Sequence, residues 1–267
     1  METSEYTTLA SVELRHWWHR GMRAISAVLL DPHYARWPGL RILDAGCGTG
    51  GDGLFLGRYG QVIGLDYSPE ALRWASQRMP GRVGRGSVLA LPFADDSFDL
   101  VTSYDVLYHQ GVPDEATALA EMRRVLRPGA RLLLRLPAYN WLRSRHDRQV
   151  HTRRRYTAGQ ARAMLTATGF EVERCTYGLT LLFPLSLATR LLERFTPDRG
   201  NASAMSLPAA PVNELLHNVM ALEAAWIAAG RDFPFGLSVI ALARNAKPFA
   251  PRPPTAASRP QPVEVPR

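Results

Sequence analysis

Lysine is almost missing from this chain: of its 32 basic residues only Lys247 is a lysine, and the rest are arginine. A G- and C-rich genome would produce that bias, so abundance alone says nothing about partners, whereas clustering of the arginines would. Cysteine is equally scarce. Cys47 and Cys175 exclude a disulfide framework and supply no metal-ligand spacing, so no metal is expected and both read as small structural residues. No apolar run reaches the length of a membrane-spanning helix. The start, Met1-Glu2-Thr3-Ser4-Glu5, is acidic and polar, unlike a secretory leader, and a cytoplasmic location is expected. No internal repeat stands out. With 46% hydrophobic residues and a net charge of +8 over 267 residues, the chain can hold one core domain and a cap.

What is present is a short apolar strand running into a glycine-rich turn, Arg41-Ile42-Leu43-Asp44-Ala45-Gly46-Cys47-Gly48-Thr49-Gly50. A second strand follows, Val62-Ile63-Gly64-Leu65-Asp66, and ends in an acid. In an α/β fold such a turn lets the backbone approach a ligand, and an acid at the tip of the next strand can accept both hydroxyls of a ribose. The glycines read G-x-G-x-G rather than the G-x-G-x-x-G of a pyrophosphate turn. Asp44, Asp52 and Asp66 crowd the turn with negative charge, which suits a cationic ligand better than the phosphate a helix N-terminus attracts.

Strand and helix patterns alternate through the middle: strands at 41–45, 62–66, 82–87, 98–103 and 130–136, helices at 51–58, 69–78 and 114–126. The fold class expected is α/β, a Rossmann-like doubly wound, mainly parallel seven-stranded sheet, with ligands at the C-terminal strand edge. Apolar residues from Leu9 to Leu29 predict an amphipathic N-terminal helix or two, broken at Asp31-Pro32. Beyond a helix at 157–168 and a strand at 171–177, the closing strand is expected at 237–243. The intervening insertion holds two helical patterns, 183–195 and 211–229, placed as a helical cap before the last strand. The domains are thus 1–38, an N-terminal helical lid; 39–179, the core; 180–235, the cap; 236–246, the closing strand; and 247–267, a proline-rich tail expected to be disordered.

Four segments in order resemble the class I S-adenosylmethionine-dependent methyltransferases, in particular the small-molecule branch with the type 11 domain. They are Ile42 to Gly50, Val62 to Ser68, Leu91-Pro92-Phe93 through Asp95 to Val101, and Leu126-Arg127-Pro128-Gly129-Ala130. The resemblance implies S-adenosyl-L-methionine as cofactor and methyl transfer as activity. It places Asp66 on the ribose hydroxyls and Asp44 on the turn or, through water, on the cofactor's ammonium. It also assigns Gly46, Cys47, Gly48, Thr49, Gly50, Val88 and Tyr104 to the cofactor, with Tyr67 packing on the adenine or lying at the surface. One departure stands at Gly86-Ser87-Val88, where the family usually has an acid facing the adenine amino group; Ser87 can still accept a hydrogen bond.

The fourth strand leads into Tyr104-Asp105-Val106-Leu107-Tyr108-His109, where the chain passes the reactive methyl in such enzymes. His109 is the candidate general base for an oxygen acceptor, and a cap of the following loop is the alternative. The aromatic segment His16-Trp17-Trp18-His19-Arg20 resembles a lid over the cofactor, with Trp17 able to face the sulfonium and Arg20 or Arg23 its carboxylate; His16 and His19 face the substrate. Between 143 and 156 lie six arginines and two histidines. Tyr108, His146, His151, Arg155 and Tyr156 are assigned to the substrate mouth, with some arginines binding an anionic group, against the alternative of a solvated charge run. The expected substrate is a small or lipid-like metabolite, with O-methylation the first choice. Peripheral membrane contact stays open. Nucleic acid, which the arginines also invite, is not the expected partner, because no RNA-binding module accompanies them; RNA methylation and cofactor binding without catalysis remain the alternatives.

Overall fold

The computed structural model describes residues 3–37, 39–193 and 206–247. Two helices come first, α1 (Thr3–Val12) and α2 (Trp17–Tyr34). The core then alternates: β1 (Leu40–Ala45), α3 (Gly51–Leu56), β2 (Gly60–Asp66), α4 (Pro69–Arg78), β3 (Val83–Arg85), β4 (Phe98–Tyr104), α5 (Glu115–Val125) and β5 (Leu126–Pro137). A short helix α6 (Arg145–Gln149), α7 (Ala158–Ala167) and β6 (Phe170–Gly178) follow, then α8 (Phe183–Glu193), α9 (Ala210–Ala228) and β7 (Ser238–Asn245). The seven strands lie in the order β3-β2-β1-β4-β5-β7-β6. β7 runs antiparallel to both neighbours, and the β1–β2, β1–β4 and β4–β5 pairs are parallel.

Helix starts follow local chemistry. Ser68 accepts from the Ala71 N–H ahead of Pro69, Asp114 caps α5, and Thr157 with Gln160 forms a reciprocal capping box on α7. Alternate strand residues feed two apolar layers. Leu43 and Ala45 join the α5/α7 face, while Ile42 joins the face covered by α2, α4 and α9. The strand order reverses between β1 and β4, and their C-terminal ends open the crevice in which such sheets bind ligands.

Two expectations change. Pro32 does not break the N-terminal helix but sits in the last turn of α2, held there because Leu29, Leu30 and Tyr34 are buried against the sheet and the Tyr34 hydroxyl donates to the Asp99 carbonyl (2.9 Å). The insertion lies between β6 and β7 as expected, yet α9 runs along α2, burying Met220, Ala224 and Ile227, rather than roofing the crevice. Its buried Glu223 accepts from the Leu179 and Leu181 N–H groups (both 2.7 Å), tying α9 to the turn before α8. The tail expected to be disordered falls, from 248 on, outside the described residues, as does 194–205 within the insertion.

Candidate active site

The turn after β1 works by close approach. Gly46 has φ +89°, and a Cβ there would run into the Val106 side chain. Its N–H and that of Cys47 both donate to the Leu65 carbonyl (2.7 and 3.0 Å). Gly48, at φ +53°, faces open space and donates its N–H to Asp66 Oδ2 (2.8 Å). Asp66 Oδ1 accepts from the Ser68 N–H (2.9 Å). Burial raises the Asp66 pKa, although these backbone donors pull the other way. Gly50, expected on the cofactor, packs instead on Ala75 and Met79 as the N-cap of α3 and is not in the cavity wall.

A cavity of 890 Å³ opens above the strand ends. Ligand pockets run from roughly 300 to 1,000 Å³, so this one can take a nucleoside cofactor and an acceptor together. Its wall includes the expected Asp44, Gly46, Cys47, Gly48, Thr49, Asp66, Tyr67, Ser87, Val88, Tyr104 and Trp17. Ser87 Oγ accepts from the Leu89 N–H (3.2 Å), closing its own turn, and Tyr67 is exposed with Arg85 over its ring.

Asp44 is the unusual group. It is 1% exposed; Thr102 donates to Oδ1 (2.9 Å), while the buried Oδ2 has no partner among the described residues. Desolvation, reinforced by the nearby Asp52 charge, pushes its carboxyl up to about 7. An orphaned acceptor of this kind in a cavity wall suits a cationic hydrogen-bond donor.

The other charges in the wall pair off. Arg135, at the end of β5 and nearly fully buried, donates to Asp105 (2.6 Å) and lies 3.7 Å from Asp52. It sits between the rings of Trp18 and Tyr104, 4.9 and 4.7 Å from their centroids. Burial opposes its charge, but Asp105 and Asp52 outweigh burial and raise its pKa. Asp52 also accepts from Arg23 (2.8 Å); burial would raise it, but Arg135 and Arg23 hold it below the ordinary value. Glu13 takes the Thr49 hydroxyl and Arg78. Among the described residues, the acids of the wall left without an ion-pair partner are Asp44 and Asp66. Sequence reasoning missed Arg135, Asp105 and Glu13 because nothing local marks them. The positive φ of Asp105 (+56°) appears only in the structure.

The lid is broader than the expected aromatic segment. Tyr6, Leu9 and Glu13 from the first helix and the turn after it line the cavity beside Trp17 and Trp18. Arg78 of α4 anchors them, reaching Glu13, the Thr49 carbonyl (2.9 Å) and the Ala10 carbonyl (2.7 Å). His16 and His19 are in the wall. His16 Nδ1 accepts from the Trp18 N–H (3.2 Å), and burial lowers His19 to about 3, leaving a neutral ring. Arg20 departs from expectation: it leaves the cavity and pairs with Glu214 of α9. The Arg23 guanidinium is likewise turned to Asp52 and the Glu13 carbonyl (3.0 Å).

On the opposite side, Tyr108 and His109 line the cavity, and burial raises the Tyr108 phenol. His109 Nδ1 accepts from the Gly111 N–H (2.9 Å). The neutral ring therefore carries its proton on Nε2, and the loop-capping alternative describes the geometry. Burial lowers its pKa, helped by His151, whose ring lies edge-on at 5.7 Å but is not in the wall.

Four of the six arginines in the run have internal partners; Arg148 is exposed, and the side chain of Arg145 lies outside the described residues. Arg155 grips Asp147 bidentately (2.7 and 3.0 Å) and the Ala138 carbonyl (3.0 Å). Arg153 and Arg154 reach Glu115, and Arg143 binds the carbonyls of Thr152 and Arg153. Tyr156 is a core residue, not a mouth residue: it is fully buried, its hydroxyl on Glu115 (2.6 Å) and the Leu107 carbonyl (3.1 Å). Of the mouth set, only Tyr108 and Arg155 reach the wall, and Arg155 arrives already neutralised; the side chain of His146 lies outside the described residues. The remaining wall is largely apolar, with Val106, Val112, Pro137, Leu179 and Leu237, and Ser186 the contribution of α8.

Residues 43–134 match the family model described as a methyltransferase domain. The chain is 38% identical over 130 residues to demethylmenaquinone methyltransferase of Lactiplantibacillus plantarum, covering 45% of this chain and 50% of that protein. It is 32% identical over 176 residues to a "probable S-adenosylmethionine-dependent methyltransferase" of Mycolicibacterium smegmatis, covering 64% and 65%. The match thus spans between half and two thirds of these relatives' length. Among solved structures, an S-adenosylmethionine-dependent methyltransferase from Mesorhizobium loti superposes with a TM-score of 0.53 at 20% identity over 83% of this chain and 95% of its own, a likeness of fold.

Proposed function

We propose that this chain, whose core is a class I methyltransferase domain, moves the methyl group of S-adenosylmethionine to an apolar metabolite bearing an acidic hydroxyl. The observation that carries the proposal is Asp44: a buried carboxylate oxygen without a partner, in a wall whose other acids, Asp66 apart, are paired with arginines. The cofactor brings a sulfonium and an ammonium, and its sulfonium supplies an already activated methyl. Asp44 is suited to hold the ammonium and Asp66 the ribose hydroxyls. The turn from Gly46 to Thr49 would carry the backbone contacts, and Ser87, Val88 and Tyr67 would border the base.

The chain's own part in the chemistry is alignment and exclusion of water. Holding a nucleophile in line with the methyl can contribute on the order of 7–11 kcal/mol. The α1 lid and Trp17 close the cofactor side, and a dry wall strengthens each charge interaction inside. His109 in its Nε2–H form donates to an acceptor oxygen rather than removing a proton. Asp105 and Asp147 are occupied by Arg135 and Arg155. The acceptor must therefore enter as its anion, its proton already given up to solvent, as an acidic phenol, hydroquinone or enol can; the methyl would go to its oxygen or to the carbon conjugated with it, the sulfonium departing as a neutral thioether. A quinone-derived metabolite accords with the name of the demethylmenaquinone relative and with the apolar wall. The internal use of Arg143, Arg153, Arg154 and Arg155 weighs against both an anionic head group and a nucleic-acid phosphate at this loop.

Calorimetric titration with S-adenosylmethionine and S-adenosylhomocysteine, on the native chain and Asp66→Ala, tests the cofactor, and turnover on short-chain hydroquinones, aliphatic alcohols and fatty acids tests the acceptor. Binding lost in the variant and turnover on hydroquinones alone are expected. Binding that survives in Asp66→Ala, or preference for alcohols or fatty acids, would overturn the assignment.

A further inference from the structure

α9 is apolar on two sides. One side, with Met220, Ala224 and Ile227, packs on α2. The other carries Val212, Leu215, Val219, Leu222 and Trp226, whose spacing of three and four residues alternates as in a coiled-coil seam. Val212, Leu215, Leu222 and Trp226 are 48%, 63%, 64% and 43% exposed, and Val219 is half-buried. Among the exposed residues of α9 only Glu214 carries a charge, and Ala221 and Ala225 leave room for close approach beside the seam. A helix hydrophobic on both sides is normally covered on both sides.

We propose that this face pairs with the same face of a second copy of the chain, α9 against α9 in antiparallel orientation about a two-fold axis near Val219 to Leu222. Three observations favour a second copy. First, the charges at the two ends are complementary. Antiparallel pairing brings Arg231, stacked over the Trp226 ring at 4.4 Å, to the end of the other helix, where Glu214 uses one carboxylate oxygen on Arg20 of its own copy and stays exposed. Second, the area is adequate. Leu181 is also exposed, and its N–H sits on Glu223, next to Leu222. With the four exposed seam residues it makes five large side chains; at roughly 100 Å² apiece that is about 500 Å² per copy, or the roughly 1,000 Å² in total that a specific interface has to reach. Third, the face matches itself: nearly neutral along its length, it meets no like-charge repulsion in an isologous contact. A bilayer is a poorer fit, because α9 holds no lysine or arginine to draw anionic headgroups.

Sedimentation equilibrium on the full chain at micromolar concentration tests the pairing, using the native protein, Leu222→Lys and Leu222→Glu. The native chain should sediment with the mass of two copies and each variant with the mass of one. An equimolar mixture of the variants should return to two, because only a self-contact near a two-fold axis sets one Leu222 site near the other. Circular dichroism and the melting midpoint establish that the variants, altered at an exposed position, remain folded; Leu215→Lys mixed with Trp226→Glu, positions that antiparallel pairing about this axis sets opposite each other, repeats the mixing measurement about two turns from Leu222. A native monomer, variants that stay dimeric, or a mixture that stays monomeric would each overturn the proposal.

Discussion

Asp44→Asn should stabilise the protein while removing its hold on the cofactor, and it should do both in a pH-dependent way. In the unfolded chain the Asp44 carboxyl ionises near the ordinary 3.8; in the fold it ionises at about 7. Between those values the folded state holds a proton that the unfolded state has lost, so native stability falls as pH rises from about 4 to 7 and levels off above. Each pH unit is worth about 1.4 kcal/mol, which bounds the whole decline at about 4 kcal/mol; relaxation of the site leaves about 2–4 kcal/mol. Asparagine keeps the acceptor that Thr102 uses and carries no charge, so its curve lacks the decline. Urea unfolding of both proteins at intervals from pH 4.5 to 8.5 should show the variant gaining steadily on the native chain up to pH 7 and then holding a constant lead. Cofactor affinity of the native chain should run the other way, rising about tenfold per pH unit up to 7 with release of one proton, and the variant should bind weakly at every pH. Parallel stability curves for the two proteins would refute the idea that an unpaired, desolvated Asp44 sits in the wall.

The remaining expectations concern residues whose roles the fold reassigns. Arg155→Met strips the partner from buried Asp147 and should cost about 3–5 kcal/mol in urea unfolding; unchanged stability with a raised KM would instead restore Arg155 to substrate binding. His109→Gln should keep turnover within about threefold of native, since the loss of a true general base costs about a hundredfold or more; a hundredfold fall in kcat, with cofactor affinity intact, would reinstate it as the base. Gly46→Ala places a Cβ against Val106 at a positive φ and should lose about 2–4 kcal/mol by thermal unfolding; a loss below about 1 kcal/mol would show that Val106 yields. Glu223→Gln sets an amide donor against the N–H of Leu179 or Leu181 and should cost about 1–3 kcal/mol, measured the same way.

The half of the site nearest β1 and β2 was legible in the chain because its parts act on one another over short distances. Asp66 holds the Gly48 and Ser68 backbone, and Gly46 and Cys47 hang on Leu65, all within one strand–turn–helix–strand unit whose sequence pattern is local. The half nearest β5 was not. Of the arginines from 143 to 155, Arg153, Arg154 and Arg155 are taken up by Glu115 and Asp147, and no periodicity points from Arg153 to a glutamate 38 residues away. Histidine, arginine and tyrosine names in a loop give composition but not direction, which is how Tyr156 came to be expected at the mouth and is found in the core.

The sequence by itself determined the sheet, its cofactor edge and the acids at the strand tips, because strand alternation, helix caps and glycine turns are set by residues a few positions apart. The tertiary structure decided which charges remain available. Arg135 meets Asp52 and Trp18, Glu13 meets Arg78, and Arg20 meets Glu214, 194 residues further on. The electrostatic role of each group depends on a partner brought to it by folding, so Asp44 and Asp66 emerge as the acids without an ion pair among the described residues only when the other acids of the wall have found their arginines.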